Sequence, residues 1–308
     1  MNYQINGGKL SLINKYIRII IPIVIITIIL LPGCSGKSNK ESKKPAQQSS
    51  QKPPEELKKI VSDIENMITD ISELINMKSS TQQIKNTNTN LSQNKISEQS
   101  GNNQSDNTQS KSNQTKTQTE QTNSNSIMQQ QKSWQTLAEK LKDIHKNWNR
   151  IESEAIKAGL TVAERKKFEA GMENLTMAIS QKDEMNSLKA AIELYGQYAS
   201  LAKVFKSSIP ADYYRTKYEI LSAGIEAMGG EWDKAVERMP LLKESWNSFK
   251  TQVKVKDEKL LSRSDLSMDD FEAAVAGKNK ELLLIKTEIV LENLKQIEKS
   301  LSKSNNAQ

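Results

Sequence analysis

Apolar residues recur at helical spacing through most of the second half of the chain, and strand-like alternation is absent. Trp134, Leu137, Leu141, Ile144, Trp148, Ile151, Ala155 and Ala158 step by three and four, which predicts one long helix ended by Gly159. Thr161 and Glu164 form a capping-box signature, and Phe168, Met172, Leu175 and Ile179 continue one face behind it. A third helix is predicted from Asp183, with Met185, Leu188, Ile192, Tyr195, Ala199, Ala202 and Phe205 on its stripe, stopping before Pro210. A fourth runs from Ala211 to Met228 and stops at Gly229 and Gly230. A fifth carries Trp232, Ala235, Met239, Leu242, Trp246, Phe249 and Val253, with a kink expected at Pro240. The last, from Asn279 to about Leu301, presents Leu282, Ile285, Ile289, Leu294 and Ile297.

The pattern repeats along the chain. Trp134 and Trp148 are 14 residues apart, as are Trp232 and Trp246, and a shift of 98 superposes the two pairs. A shift of 96 carries Met172, Leu175, Ala178 and Lys182 onto Met268, Phe271, Ala274 and Lys278. This reads as a weak internal duplication of helical units. Short connections and heptad spacing predict an all-α fold, an antiparallel bundle of about six helices over residues 132–303, long enough to bury a real core. A short solenoid is the competing architecture, because helix starts near 134, 183, 232 and 279 recur at intervals of 49, 49 and 47.

One amphipathic helix stands apart, at 53–77. Pro53 and Pro54 open it, Glu55 and Glu56 favour its first turn, and Leu57, Val61, Ile64, Ile68, Ile71 and Ile75 alternate by four and three. Ile60, Met67 and Leu74 widen the stripe, and large apolar side chains worth roughly 1.5 to 3 kcal/mol each on burial cannot stay in water. The helix therefore docks on the bundle or pairs with a second copy in a coiled coil, a self-association through 57–75. Residues 78–131 are dominated by Gln, Asn, Ser and Thr without an aromatic residue, and read as a disordered low-complexity linker.

Ahead of that helix lies an address. Lys9, Lys15 and Arg18 precede an Ile/Leu/Val stretch from Ile19 to Leu31, the n-region and h-region of a secretory signal over residues 1–33. At 1.5 Å per residue the stretch covers only about 20 Å of a hydrocarbon core about 30 Å thick, which favours a cleaved signal over a permanent span. Leu31, Pro32, Gly33 and Cys34 follow, a tetrad that resembles the lipobox of bacterial lipoproteins. The resemblance implies that the Cys34 thiol takes a diacylglycerol carrying chains such as palmitate. It also implies that Leu31, Pro32 and Gly33 form the signal-peptidase motif, and that Cys34 becomes the mature N-terminus. Two acyl chains suffice for stable anchoring. Residues 34–52, rich in Ser, Lys and Gln without an aromatic residue, read as a flexible tether.

The lipobox, the helix at 57–75, the polar insert and the Trp-rich helices occur together with the stretches Tyr195-Gly196-Gln197-Tyr198 and Ile209-Pro210-Ala211-Asp212. In this combination the chain resembles uncharacterised helical-bundle lipoproteins of low-GC Gram-positive bacteria. The resemblance implies an extracytoplasmic protein anchored to the outer face of the cell membrane by a lipid on Cys34, and is nearly silent on activity.

Charge and chemistry narrow the choice further. The net charge of +7 is confined to the first 52 residues, since residues 53–308 carry 36 basic and 36 acidic side chains. The excess would face lipid headgroups, and no nucleic-acid partner is assigned. One cysteine excludes a disulfide framework or a cysteine-clustered metal site. His145, flanked by Leu141, Lys142, Trp148 and Asn149, assembles no ligand set and reads as a rim histidine. Nucleotide-binding, nucleophile-elbow and zinc-protease motifs are absent from the sequence. Asp269 and Asp270 are placed at a helix start, where a dipole role suffices.

No catalytic residue, metal or cofactor is assigned. The one candidate ligand corner gathers Tyr195, Tyr198, Tyr213, Tyr214 and Tyr218 with Arg215 around Pro210, where phenols and a guanidinium would grip an anionic or glycan ligand. The opposing reading makes Tyr195, Tyr214 and Tyr218 core residues with capped hydroxyls. The sequence thus describes a non-enzymatic binding or structural module at the cell envelope, with a protein or envelope partner. The other function weighed is a small-ligand or metal-binding component of an uptake or stress system.

Overall fold

Proline and short polar side chains set the helix starts. Pro210, at φ −62°, precedes one helix. Thr161 and Glu164 close the expected capping box, and Asp183 and Asp257 each accept the amide three residues on. In a computed structural model the described residues are 51–94, 109–253, 255 and 257–305, with side chains described over 51–78, 128–253, 255 and 257–303. The signal segment 1–33, Cys34 with the rest of its tetrad, and the tether up to residue 50 lie outside them. Every described residue belongs to one compact unit, Gln47–Gln308.

Among the described residues there are nine helices and no strand. They are α1 (Glu55–Asn94), α2 (Gln109–Ala158), α3 (Val162–Ser180), α4 (Glu184–Lys203) and α5 (Ala211–Met228), followed by α6 (Trp232–Glu237), α7 (Met239–Gln252), α8 (Glu258–Ala276) and α9 (Lys280–Asn305). The fold is the expected all-α packing of antiparallel helices.

Four expectations need adjustment. The apolar stripe of α1 (Leu57, Ile60, Ile64, Met67, Ile71, Leu74) is buried against α2 and α4, so the chain itself supplies the partner that helix needed. Helical backbone continues to Asn94 and resumes at Gln109, so the described ends of the polar insert 78–131 are helical, while 95–108 lie outside the described residues. Once a packed segment has nucleated a helix, each further residue adds a hydrogen bond at little cost. The fifth expected helix is two, broken at Arg238 just before Pro240. Finally α8 is a helix of its own, which places Asp269 and Asp270 in a helix interior; Asp270 there pairs with Lys286.

The stripe of α9 is also rotated relative to the expected one. Leu283, Val290, Leu294, Ile297 and Leu301 are buried, whereas Leu282, Ile285 and Ile289 are 40%, 55% and 43% exposed. Leu282 to Ile285 is apolar on every side of the helix, and packing on α8 and α5 chooses the buried face.

The duplication is visible as two copies of one plan, α1–α4 and α5–α9. In each, a helix that follows a proline (α1, α5) packs on the next long helix (α2, α7) and on the last (α4, α9), and the final two helices form a close hairpin (α3/α4, α8/α9). An offset of 156 carries Leu57, Ile60, Ile64, Met67 and Ile71 onto Tyr213, Thr216, Ile220, Ala223 and Ala227, all buried. An offset of 96 carries the bounds of α3 onto those of α8. The turns match as well: Lys182 and Lys278 are left-handed, at φ 55° and 49°. Asp183 N and Asn279 N each bond back to an alanine carbonyl, of Ala178 and Ala274, across those turns.

The copies are fastened where α4 meets α5. Gly196 lets the helices close, since a Cβ built there would lie 2.5 Å from the Tyr218 ring.

Candidate functional site

The tyrosine corner is closed. Tyr195, Tyr198, Tyr213, Tyr214 and Tyr218 are all buried, with the Tyr214 ring edge-on to Tyr198 at 4.9 Å and to Tyr213 at 5.3 Å. Tyr213 donates to Glu298 at 2.9 Å and Tyr218 to Glu193 at 3.0 Å. Burial is the main cause holding the Tyr195, Tyr198 and Tyr213 hydroxyls well above the usual phenol range, with neighbouring carboxylates or phenols next.

Arg215 is committed too, its Nε 3.0 Å from the buried Glu219 carboxylate. Arg238 meets the same carboxylate at 3.1 Å and Glu226 at 2.7 Å, while both guanidiniums lie over the Tyr218 ring. Burial pushes the Glu219 carboxyl up and the arginines pull it back. This network pins the break between α6 and α7 to α5. It is a structural core, and the corner offers no grip for a ligand.

The open concavity lies elsewhere, along the seam of α2 and α3. Their helix axes share little of the close packing that α1 gives α2, and a groove of about 610 Å³ remains between them. Trp134, Ala138, Leu141 and Ile179 give it an apolar floor, with Lys142 and Lys182 on its rim. At its middle the single histidine bonds Thr176, His145 Nε2 to Oγ1 at 3.1 Å. Beyond His145 the lining turns acidic: Trp148, Asn149, Glu152, Glu169, Met172 and Glu173 enclose about 340 Å³. Among the described residues no three of His, Cys, Asp or Glu are grouped to hold a metal ion.

The second copy shows the same cleft in another state. Offsets of 98 on the first helix and 96 on the second turn His145, Trp148, Asn149, Glu152, Glu169, Met172 and Glu173 into Lys243, Trp246, Asn247, Lys250, Asp265, Met268 and Asp269. All seven line the corresponding cleft between α7 and α8. There two ion pairs bridge the two sides, Lys243–Glu272 and Lys250–Asp265, each at 2.7 Å, while Asp233 on α6 pairs with Lys278 at 3.1 Å outside the cleft. Asp265 also takes the Trp246 indole N–H at 2.7 Å.

In the first copy other contacts cross the seam: Arg165 of α3 bonds Glu152 of α2 at 2.7 Å, and His145 bonds Thr176 at 3.1 Å. Gln135 stands where Asp233 would be, and Lys182 has no ion-pair partner among the described residues. Thr176 replaces Glu272. Glu169 lies 3.9 Å from Arg165, which bonds Glu152 at 2.7 Å, and the Trp148 indole N–H has no hydrogen-bond partner although the residue is only 4% exposed. The two clefts are thus crossed by different side-chain contacts and keep similar volumes, about 340 Å³ in the first copy and about 290 Å³ in the second.

Comparison of the chain with protein families, with curated proteins and with solved structures finds no match in any of the three. Trp148 is buried, as its heptad position predicts, while Glu169 and Glu173 carry no local periodic signal. The signal is present in the repeat: the shift of 96 that carries Met172 onto Met268 also aligns Glu169 with Asp265 and Glu173 with Asp269.

Proposed function

We propose that this chain is a lipid-anchored, non-enzymatic binding module held at the outer face of the cell membrane through a diacylglycerol on Cys34, with its helical unit presented to a protein or envelope partner. The Leu31-Pro32-Gly33-Cys34 tetrad behind a short h-region supports the anchor. Among the described residues no helix is long and apolar enough to cross a membrane. The binding role is carried by one observation, the groove of about 610 Å³ between α2 and α3 with its floor of Trp134, Ala138, Leu141 and Ile179. The closed tyrosine corner gives no support to a small-ligand or metal-uptake role.

Labelling cells with a palmitate analogue and fractionating them tests the anchor. Wild-type chain is expected to take the label and sediment with membranes, and Cys34→Ser to lose label and processing together. A Cys34→Ser product that stays fully processed and membrane-bound overturns the reading.

A further inference from the structure

The charges of residues 53–308 cancel in sum but not in place. One end of the helical unit collects the starts of α1, α3, α5 and α8 and the finishes of α2, α4, α7 and α9. Contacts tie that end together. The Lys206 amide donates to the Gln51 carbonyl at 2.9 Å, the Gln51 side chain to Glu154, Ser248 to Asp212 at 2.6 Å and Tyr213 to Glu298 at 2.9 Å. Its turns and connections, 51–59, 154–167, 203–212, 250–253, 257–260 and 298–303, hold 13 basic and 8 acidic side chains. The connections at the opposite end, 181–184, 229–234 and 277–281, hold 4 and 5.

Most of the acids at the basic end are engaged by the fold. Glu164 and Asp257 cap α3 and α8, while Glu154, Asp212 and Glu298 accept from Gln51, Ser248 and Tyr213. Of the 13 bases only Lys58, Arg165 and Lys250 form ion pairs. The other ten are exposed lysines without an ion-pair partner among the described residues. Lys157, Lys166 and Lys167 flank the turn from α2 to α3, where Ile156 and Val162 are 46% and 65% exposed. Lysine carries a compact charge on a flexible stem, which suits a layer of many phosphates. Apolar side chains set among lysines gain from the headgroup–acyl boundary of a bilayer, a layer that duplex phosphates lack.

The chain also enters the helical unit at this end. Gln51 is its first described residue, 17 residues after Cys34, and Lys37, Lys40, Lys43 and Lys44 lie between them against one acid, Glu41. At about 3.3 Å per residue that segment reaches at most about 56 Å, so a bilayer holding residue 34 is within range. We infer that this end of the helical unit is a lipid-facing surface, its unpaired lysines against anionic headgroups and the α2/α3 turn placing Ile156 and Val162 among them. The inference rests on the proposed membrane location but not on the lipid at Cys34.

The test uses the full chain with Cys34→Ser, which needs no lipidation, reconstituted with phosphatidylcholine vesicles or with vesicles containing about 30% phosphatidylglycerol. An environment-sensitive probe on Val162→Cys reads this end, and the same probe on the exposed Leu284→Cys, near the start of α9, reads the other. Quenching of the first probe by brominated lipid is expected to be about threefold stronger in the anionic vesicles and to fall to the neutral level at about 0.5 M salt. Lys157→Glu, Lys166→Glu and Lys167→Glu together are expected to reduce that difference severalfold at unchanged thermal stability.

Equal quenching at position 162 in both kinds of vesicle, or a response confined to position 284, overturns the inference. Duplex DNA that binds the chain at a salt concentration where vesicle contact is already lost would reassign the end to nucleic acid and overturn it too. A chain that is lipidated in cells yet shows no anionic preference here would sink this inference alone and leave the anchor standing.

Discussion

α3 and α8 are equal in length, begin after an N-cap that bonds the amide three residues on, and end on a left-handed lysine. Beside α8 the first helix of the pair is broken at Arg238 and tied across the cleft by two ion pairs. Beside α3 the partner is one unbroken helix, α2, and Arg165–Glu152 and His145–Thr176 cross the seam instead. The backbone plan thus accepts different pairs across the same cleft. A handful of side chains decides which: Gln135 for Asp233, Thr176 for Glu272, Glu152 for Lys250. Individually such partly exposed pairs are weak, so their exchange costs little stability.

The largest expected effect tests whether the two copies fold as one. Ile64→Ala and Ile220→Ala remove equivalent, fully buried side chains, and each is expected to cost about 2 to 5 kcal/mol in urea denaturation. Because α4 and α5 pack closely, both variants should unfold in a single transition. Two separated transitions in either variant would show the copies to be independent.

Next in size is the cleft itself. Asp265→Ala leaves a buried indole N–H and Lys250 unpaired, for an expected loss of about 1 to 3 kcal/mol. Glu169→Ala, its counterpart, removes only a partly exposed pair at 3.9 Å and is expected to cost less than about 1 kcal/mol. Equal losses, measured by the same denaturation, would show that Asp265 and Glu169 bear equal weight in their clefts.

The smallest effect is a pH dependence. Tyr213 and Glu298 occupy the places that Leu57 and Ala202 hold in the first copy, an acid–phenol pair for an apolar one. Burial pushes the Glu298 carboxyl above its ordinary 4.5, against the pull of the Tyr213 hydrogen bond. The folded state then holds its proton more tightly than the unfolded one. Stability from this group is full below 4.5 and falls as pH rises through the raised folded value. Asp63 and Glu219, raised mainly by burial as well, add to the slope in the same direction. Glu298→Gln keeps an acceptor for Tyr213 and is expected to flatten that slope, stabilising the protein slightly above the window and not below it. An unchanged slope in a pH series of thermal melts would remove Glu298 as a contributor.

Helix starts, the Pro240 break and the duplication were readable from spacing and caps, because a helix face three or four residues wide imposes its period on the sequence. The extra helix α8 is half-visible in the sequence: Met268, Phe271 and Ala274 match the second helix, yet its cap Asp257 lacks the Glu or Gln three residues on that marks Thr161. The register of α9 was hidden, since Leu282 to Ile285 offers an apolar residue to every side. The tyrosines around Pro210 were correctly grouped, but whether a cluster of phenols faces water or a neighbouring helix depends on what packs over it. Glu65, Glu193 and Glu298 reach them from α1, α4 and α9, over sequence separations that no local pattern spans.

The amino-acid order alone fixed the all-helical class, the limits of most helices and the internal repeat, because these follow from local periodicity and from which side chains satisfy the free amides at a helix start. Packing decided which of several apolar faces is buried, that α1 belongs to the core, and which pairs cross each of the two equivalent clefts. Those outcomes depend on side chains far apart in sequence meeting at distances of about 3 Å, where one exchanged residue selects a different partner.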